Sequence, residues 1–417
     1  MSREEIEQVE KELDEVLEIV QRPVPVKNTG REETVSLQEN LQENDPLQEE
    51  MQIETEKEEK EEKEDSPESA AKEQTAVSEE ELDLEDDIEN GYFHFLRPSD
   101  GLIAAFFVPV AVLIILFAQR GIFPFGEECF LRTDMYHQYA PFFSEFQYKL
   151  KQGGSLLYSW DIGMGVNFSA LYAYYLASPV NWLIILCPKK FIIEFMTILI
   201  MVKTGLCGVT FTWYLDHHFE KKHFVAGVFG IFYALSGYMA AYSWNIMWLD
   251  CIFLLPLILY GLEQLVQEKK GLFYCVTLGL SILSNYYISI MICIFMVMYV
   301  IVQVILYPPK KIKDLVATGV RFGFYSLLAG GLAAVVLLPE IYALQATASG
   351  DFDFPKTISC YFSIFDMIAR HIGNVGTEIG LDHWPNIYCG VAVFLFFLLY
   401  LACKKISAKE KSVYCGL

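Results

Sequence analysis

The chain has 417 residues and a formal net charge of -22, yet 53% of its residues are hydrophobic and 15% are aromatic. Strong acidity is typical of solvated sequence, whereas a high apolar content is typical of membrane proteins. The two properties together exclude a single compact soluble fold. Residues 1–90 carry 33 acidic and 9 basic residues, whereas the remainder carries 20 acidic and 22 basic residues. We therefore predict an acidic tail, residues 1–95, and a nearly neutral apolar body, residues 96–417.

The tail is mostly Glu, Gln, Lys, Ser and Asp between residues 38 and 90. This composition cannot bury enough apolar surface to offset chain entropy, so we expect disorder. Near the start, apolar residues follow a heptad spacing that indicates either a short partner-binding helix or a transient helix: Ile6, Val9, Leu13, Val16 and Val20. No signal peptide precedes the tail, so we expect it to be cytoplasmic.

The body contains a series of apolar stretches near the length of about 20 residues that a membrane-spanning helix requires. None of them alternates in the way that barrel strands do. The fold class that we predict is all-α, a polytopic membrane helix bundle of about eight transmembrane helices. The predicted spans are 102–118, 191–214, 224–241, 247–265, 272–284, 288–306, 316–338 and 387–403.

Basic residues in short loops predict the orientation of the bundle. A cytoplasmic N-terminus places the lysine clusters near residues 221, 269, 310 and 404 inside, and leaves only Lys189 and Lys190 outside. This arrangement requires that residues 167–187 do not cross the membrane, and Pro179 and Asn181 favour an interfacial or re-entrant segment there. The outer face then carries two large loops, residues 119–190 and 341–386.

The first outer loop contains the run RTDMYHQY, residues 132–139. A carboxylate just above a span, beside aromatic and amide groups, could act as a general base on an acceptor hydroxyl, which makes Asp134 a catalytic candidate. His137 and Tyr139 are candidate substrate contacts on the same run. The alternative is that Thr133 or Asp134 caps the helix that follows.

Further along the same loop, Trp160 and Asp161 precede two glycines, Gly163 and Gly165. The glycine pair follows no predicted strand, so a nucleotide-binding turn is not indicated. Trp160 suits either the aromatic belt at the headgroups or a stacking contact with a sugar ring. Asp161 joins it as a candidate substrate contact.

Lys203 lies in the middle of a predicted span, where an isolated ammonium costs roughly 2.5–3.5 kcal/mol on insertion scales. Either it pairs with an acid such as Asp250, or it holds an anionic group such as a lipid phosphate. Asp250 and Trp248 lie close to the outer interface, and Asn285 occupies the next outer turn. All four are candidate substrate-binding residues.

Arg370 in the last outer loop is a candidate for binding a phosphate. Its neighbours include two histidines and two aspartates, but their spacing matches no compact ligand motif: Asp366, His371, Asp382 and His383. The sequence therefore predicts no metal site, and divalent-metal dependence stays open. We expect membrane lipid as a partner and no nucleic acid.

Several of these runs resemble the YfhO family of bacterial membrane proteins over about residues 95–403. The runs are DMYHQY, SWDIGMG, AYYLASP, PNIYCG and the segment from SGYM to NIMWLD, residues 236–250. The resemblance implies a GT-C-type glycosyltransferase that takes a sugar from a polyprenyl-phosphate carrier. The implied acceptor is a cell-envelope polymer such as lipoteichoic acid. The family pattern places a catalytic acid in the first outer loop, which corresponds to Asp134, and favours Lys203 near the donor site.

The chain is shorter than the family pattern, whose members are about twice as long. The resemblance thus implies that the chain is an N-terminal portion and that part of the donor or acceptor site lies beyond residue 403. Two other functions remain open, a transporter or flippase for an envelope precursor, and a non-catalytic scaffold that acts through its tail. Intramembrane charges would serve a transporter, but no inverted repeat is evident and the polar residues gather at one face.

Overall fold

The computed structural model describes residues 97, 99–220, 224–347, 362–372, 376–377, 379 and 385–417. The acidic tail and its heptad seam lie outside these residues, as do Asp382 and His383. The described part is built almost wholly from helices. Their bounds are α1 Asp100–Gln119, α2 Ala140–Gln152, α3 Phe168–Leu171, α4 Ile192–His218, α5 Phe224–Ala234, α6 Gly237–Tyr242, α7 Leu249–Gln267, α8 Leu272–Ser284, α9 Tyr286–Leu306, α10 Ile312–Leu332, α11 Ala334–Leu344, α12 Ile364–Ala369, α13 Val391–Ala402 and α14 Ala408–Cys415.

Shorter elements complete the first outer loop. Two two-residue strands, β1 Tyr158–Ser159 and β2 Val166–Asn167, pair antiparallel, with Tyr158 opposite Asn167. The remaining elements are π-helical or 3₁₀-helical: Met135–Tyr139, Tyr172–Leu176, Pro179–Leu186 and Lys189–Phe191.

The helical membrane bundle predicted from the sequence is confirmed, but the number of spans is corrected. Among the described residues, six helices are long and apolar enough to cross a membrane: α1, α4 with the turn before it, α5 with α6, α7, α9 and α10. The predicted span 272–284 is a 13-residue helix, and 387–403 contains only the 12-residue helix α13. The predicted span 316–338 ends at Leu332, after Gly330 and Gly331. Glycine has a low helix propensity, which explains the break.

The segment that we predicted not to cross the membrane is sharply bent. Its two helical arms, Phe168–Leu176 and Pro179–Leu186, meet at 102°. Ser178 between them has an extended ψ of 128°, and Pro179 begins the second arm. Proline disfavours helical geometry in the residue before it, which accounts for the bend at this position. The geometry is that of a broken span or a re-entrant segment.

Helices α1, α4 and α5 pack closely through small residues. A Cβ atom added at Gly208 on α4 would lie 2.1 Å from the carbonyl oxygen of Ala105, and one at Gly230 on α5 would lie 2.5 Å from that of Gly208. Glycine allows this approach because it has no side chain, and small residues are typical of helix contacts in membranes. α4 also contacts α7, which continues the bundle into α8, α9 and α10.

Candidate functional site

Asp134 is exposed and lies directly before the π-helical segment Met135–Tyr139. Its side chain makes no capping hydrogen bond, and Thr133 before it has a positive φ of 45°. The positive φ turns the chain from the preceding loop into the helix. The capping role that we considered for Asp134 is therefore not seen, and its carboxylate is open to solvent.

Tyr139 joins the Asp134 segment to the turn after α6. Its hydroxyl donates to the Oδ1 atom of Asn245 at 2.7 Å, and its ring stacks on Trp244 with 6.1 Å between centroids. Burial, together with the negative charge of Asp134, raises the pKa of Tyr139 above its usual range. The hydroxyl thus stays protonated and donates a hydrogen bond, and the Asp134 carboxylate acts on it electrostatically. His137, by contrast, is exposed, with its ring edge-on to Tyr136.

Lys203 and Asp250 form a buried ion pair between α4 and α7. The Lys203 ammonium lies 2.5 Å from Oδ2 of Asp250 and also donates to the carbonyl oxygen of Ile246 at 3.1 Å. The other oxygen of Asp250 accepts from the hydroxyl of Ser178 at 2.7 Å. The side chains of the pair are 0% and 2% exposed. Of the two alternatives for Lys203, the structure contains the pairing with Asp250, and this pair holds the bent segment at Ser178.

A second hydrogen bond, from Asn285, also holds the bent segment. The amide of Asn285 donates to the carbonyl oxygen of Tyr174 at 3.0 Å, while its oxygen accepts from the backbone of Ile288 and caps α9. Asn285 is completely buried. Trp248 is half-buried next to Tyr287, with 6.4 Å between ring centroids. Asn285 and Trp248 therefore shape the wall around the bent segment.

Three further candidates lie in the loops 119–190 and 341–386. Trp160 is 76% exposed and packs edge-on against Tyr158. Asp161 is exposed, and its backbone amide donates to the hydroxyl of Ser159 at 3.3 Å. Arg370 is buried and donates to the carbonyl oxygens of Pro385 and Gly376 and to the side chain of Asn386: 3.1, 3.0 and 3.1 Å. Arg370 is thus engaged in holding the residues before α13.

A cavity of about 1030 Å³ lies between α1, α4, α5 and α6 at the end of the bundle that carries the Asp134 segment. Its walls are mainly apolar, and its charged lining residues come from the chain just after α1: Arg120, Glu128 and Arg132. Both arginines are exposed, and neither has an ion-pair partner among the described residues. Trp244, which stacks on Tyr139, also lines this cavity.

Sequence reasoning did not single out Arg120 and Arg132 as site residues. The available signal was the position of Arg120 at the end of the first span and of Arg132 two residues before Asp134. The cavity between them is a property of helix packing and has no local pattern. Among the described residues, no group of three or more His, Cys, Asp or Glu side chains could hold a metal ion.

One continuous stretch of the chain contains α1, the Asp134 run, the bent segment and the later helices of the bundle. The family described as "Bacterial membrane protein YfhO" matches residues 104–417, which include all of these elements except the first four residues of α1. The chain belongs to the YfhO family of bacterial membrane proteins. No curated protein and no solved structure matches it. As a YfhO protein with six long apolar helices among its described residues, it is a multi-pass membrane protein.

Proposed function

We propose that this YfhO protein is a GT-C-type glycosyltransferase. It moves a sugar from a polyprenyl-phosphate carrier to a cell-envelope polymer of the lipoteichoic acid type, at the outer face of the cytoplasmic membrane. The observation that carries the proposal is the cavity of about 1030 Å³, which joins apolar walls to two arginines beside the Asp134 segment.

The two parts of the cavity match the two parts of a polyprenyl-phosphate donor. Leu113 and Leu116 of α1 and Leu235 after α5 provide apolar wall for the isoprenoid chain. Arg120 and Arg132 provide guanidinium groups, which bind phosphate oxygens in a bidentate manner. Glu128 offsets only one of these two positive charges. The charged end of the cavity therefore has a net positive charge, which favours binding of a phosphate.

Asp134 is the proposed general base. Its carboxylate takes the proton from an acceptor hydroxyl while the hydroxyl oxygen forms a bond to the anomeric carbon of the sugar. The bond between that carbon and the phosphate oxygen breaks in the same step. The leaving phosphate keeps the electron pair, and Arg120 and Arg132 stabilise its negative charge. A single displacement of this kind inverts the configuration at the anomeric carbon.

The other candidates take binding or positioning roles in this proposal. The exposed His137 contacts the substrate beside Asp134, the buried Tyr139 positions the Asp134 segment through Asn245, and Trp248 offers an aromatic face to a sugar ring. Lys203, Asp250 and Asn285 position the bent segment through Ser178 and Tyr174. The exposed Trp160 and Asp161 contact the polymer acceptor. Arg370 holds the residues before α13 in place through its hydrogen bonds.

The proposed topology follows from the basic loops and places the N-terminus in the cytoplasm. It brings Asp134, Arg120 and Arg132 to the outer side of the membrane. In a background in which the exposed Cys129 is replaced by Ser, a cysteine introduced at exposed Glu127 should then react with a membrane-impermeant thiol reagent in intact cells, and one at Lys310 should not. The opposite labelling pattern would overturn the orientation.

The test of the activity is sugar transfer from a radiolabelled polyprenyl-phosphate-sugar to envelope polymer in membranes that hold equal amounts of each variant. We expect Asp134→Asn to lower transfer by roughly 10²- to 10⁴-fold, the usual contribution of a general base. The matched control is Glu127→Gln, an exposed acid of the same loop that does not line the cavity. Arg120→Gln with Arg132→Gln should raise KM for the donor and also lower kcat, because the arginines stabilise the leaving phosphate. Full transfer by Asp134→Asn would refute the role of Asp134.

A transporter or flippase for a lipid-linked precursor is the second candidate, and the buried Lys203–Asp250 pair is the observation that favours it. A transporter would move the labelled lipid between the leaflets of proteoliposomes without forming a glycosidic bond. Transfer without transport supports the glycosyltransferase, and transport without transfer supports the alternative.

A further inference from the structure

A groove of about 450 Å³ lies apart from the large cavity, on the side of the bundle where the bent segment meets α4. Its lining is apolar except for one carboxylate and one thiol: Phe123, Leu183, Leu186, Cys187, Phe191, Glu194, Phe195 and Ile198. Several of these apolar side chains are more than 40% exposed, with Leu186 reaching 79%. The volume is within the range of about 300–1,000 Å³ that small-molecule sites occupy.

Lysines border this groove. The ammonium of Lys151 donates to the carbonyl oxygen of Cys187 at 2.7 Å, and that of Lys190 lies 4.7 Å from the ring centroid of Phe191. Lys189 is the adjacent residue and is exposed. Lys189 and Lys190 are also the pair that the positive-inside rule leaves on the outer side. An anionic ligand bound here would account for a basic pair at this position.

Glu194 supplies the second polar feature of the groove. Its Oε2 atom is excluded from solvent and has no hydrogen-bond partner among the described residues. A buried carboxylate oxygen without a donor is costly, so a ligand that brings a hydroxyl group would stabilise it. Burial raises the pKa of the neighbouring Cys187 thiol. The Lys151 ammonium partly offsets this increase in the pKa, and the Glu194 carboxylate adds to it.

We propose that this groove binds an anionic glycerophospholipid with a hydroxyl-bearing headgroup, of the phosphatidylglycerol class. An acyl chain lies along Leu186, Phe195 and Ile198, because these side chains are apolar and open to the side of the bundle. The phosphate lies between Lys151, Lys189 and Lys190. A headgroup hydroxyl donates to Glu194. Three lysines against one glutamate leave a net positive charge, which selects an anionic lipid over a zwitterionic one.

The test is lipid retention by the purified full chain after delipidation and exchange into equimolar phosphatidylglycerol, phosphatidylethanolamine and phosphatidylcholine, read by native mass spectrometry. We expect phosphatidylglycerol to be retained. Lys189→Gln with Lys190→Gln should weaken its retention by roughly 10- to 30-fold, the size expected for two lysines at an anionic surface. The control, Lys310→Gln with Lys311→Gln, removes an equally exposed basic pair elsewhere and should change nothing.

Two further variants separate the parts of the site. Ile198→Trp fills the groove without changing charge, so it should also remove the retained lipid. Glu194→Met should lower retention of phosphatidylglycerol but, in a parallel exchange into phosphatidic acid, should not lower retention of that lipid, whose headgroup has no glycerol hydroxyl. Equal loss in both lysine pairs, equal retention of phosphatidylcholine, or unchanged retention in Ile198→Trp would each overturn the proposal. None of these readouts depends on sugar transfer.

Discussion

The buried pair of Lys203 and Asp250 allows a quantitative test of whether Lys203 positions the bundle or holds a substrate phosphate. The Lys203→Met substitution removes the ammonium 2.5 Å from Asp250 and leaves that carboxylate uncompensated in a fully buried position. Breaking one partner of a buried ion pair typically destabilises a protein by about 3–5 kcal/mol. We expect a loss of this size in the free energy of unfolding.

The double substitution Lys203→Met with Asp250→Asn removes both charges. The asparagine oxygen can still accept from the hydroxyl of Ser178, which donates to Asp250 in the native chain. The double variant should therefore lose only about 1–2 kcal/mol, because no buried charge remains and one hydrogen bond is kept. The double variant should therefore be more stable than Lys203→Met by about 1–4 kcal/mol, and including the loss measured for Asp250→Asn gives the coupling energy between the two sites.

The assay is unfolding of the purified protein in mixed micelles, followed by helix content, for the wild type, both single variants and the double variant. Sugar transfer is measured on the same four proteins. A positioning role predicts that the double variant recovers both stability and transfer relative to Lys203→Met. Recovery of stability with no recovery of transfer would show that Lys203 contacts the substrate and would refute the positioning role. Equal stability losses in the single and double variants would refute the pairing.

Two further predictions concern packing around the candidate site. Tyr139→Phe removes the donor to Asn245 and leaves a buried acceptor, so we expect a loss of about 1–3 kcal/mol in unfolding free energy. Gly208→Ala places a Cβ atom against the backbone of Ala105 and should cost about 1–3 kcal/mol, measured by chemical unfolding. Gly319→Ala is its control, since open space surrounds that position, and it should stabilise α10 by about 0.5–1 kcal/mol. A similar loss in both glycine variants would contradict the close contact.

Local signals in the sequence were sufficient for the class of the molecule. Apolar length identified a helical membrane bundle, and the contrast in charge at residue 90 separated the tail from it. The positions of the basic loops, together with Asn167, Pro179 and Asn181, predicted an interfacial or re-entrant segment at residues 167–187, and the structure has a bend of 102° there. Hydropathy failed at 316–338 and 387–403, because it measures apolar content and is insensitive to where a helix ends.

The residues of the candidate site also divide into those that the local sequence could identify and those that it could not. Asp134 could be selected because it follows the first span directly, and Lys203 because a charge in an apolar run requires a partner. Arg120 and Arg132 were missed because they are ordinary loop arginines until a cavity forms between them. Arg370 was selected for its charge, yet the structure uses it to bind carbonyl oxygens before α13.

The sequence by itself determined that this is a multi-pass helical membrane protein with an acidic N-terminal segment, since length, hydropathy and charge are properties of consecutive residues. Only the tertiary structure decided that Lys203 meets Asp250, 47 residues away, and that this pair holds Ser178. It also decided that two arginines share one cavity and that three lysines border a separate apolar groove. Such contacts depend on which helix faces pack together, and the packing of small residues such as Gly208 against Ala105 has no signature in hydropathy.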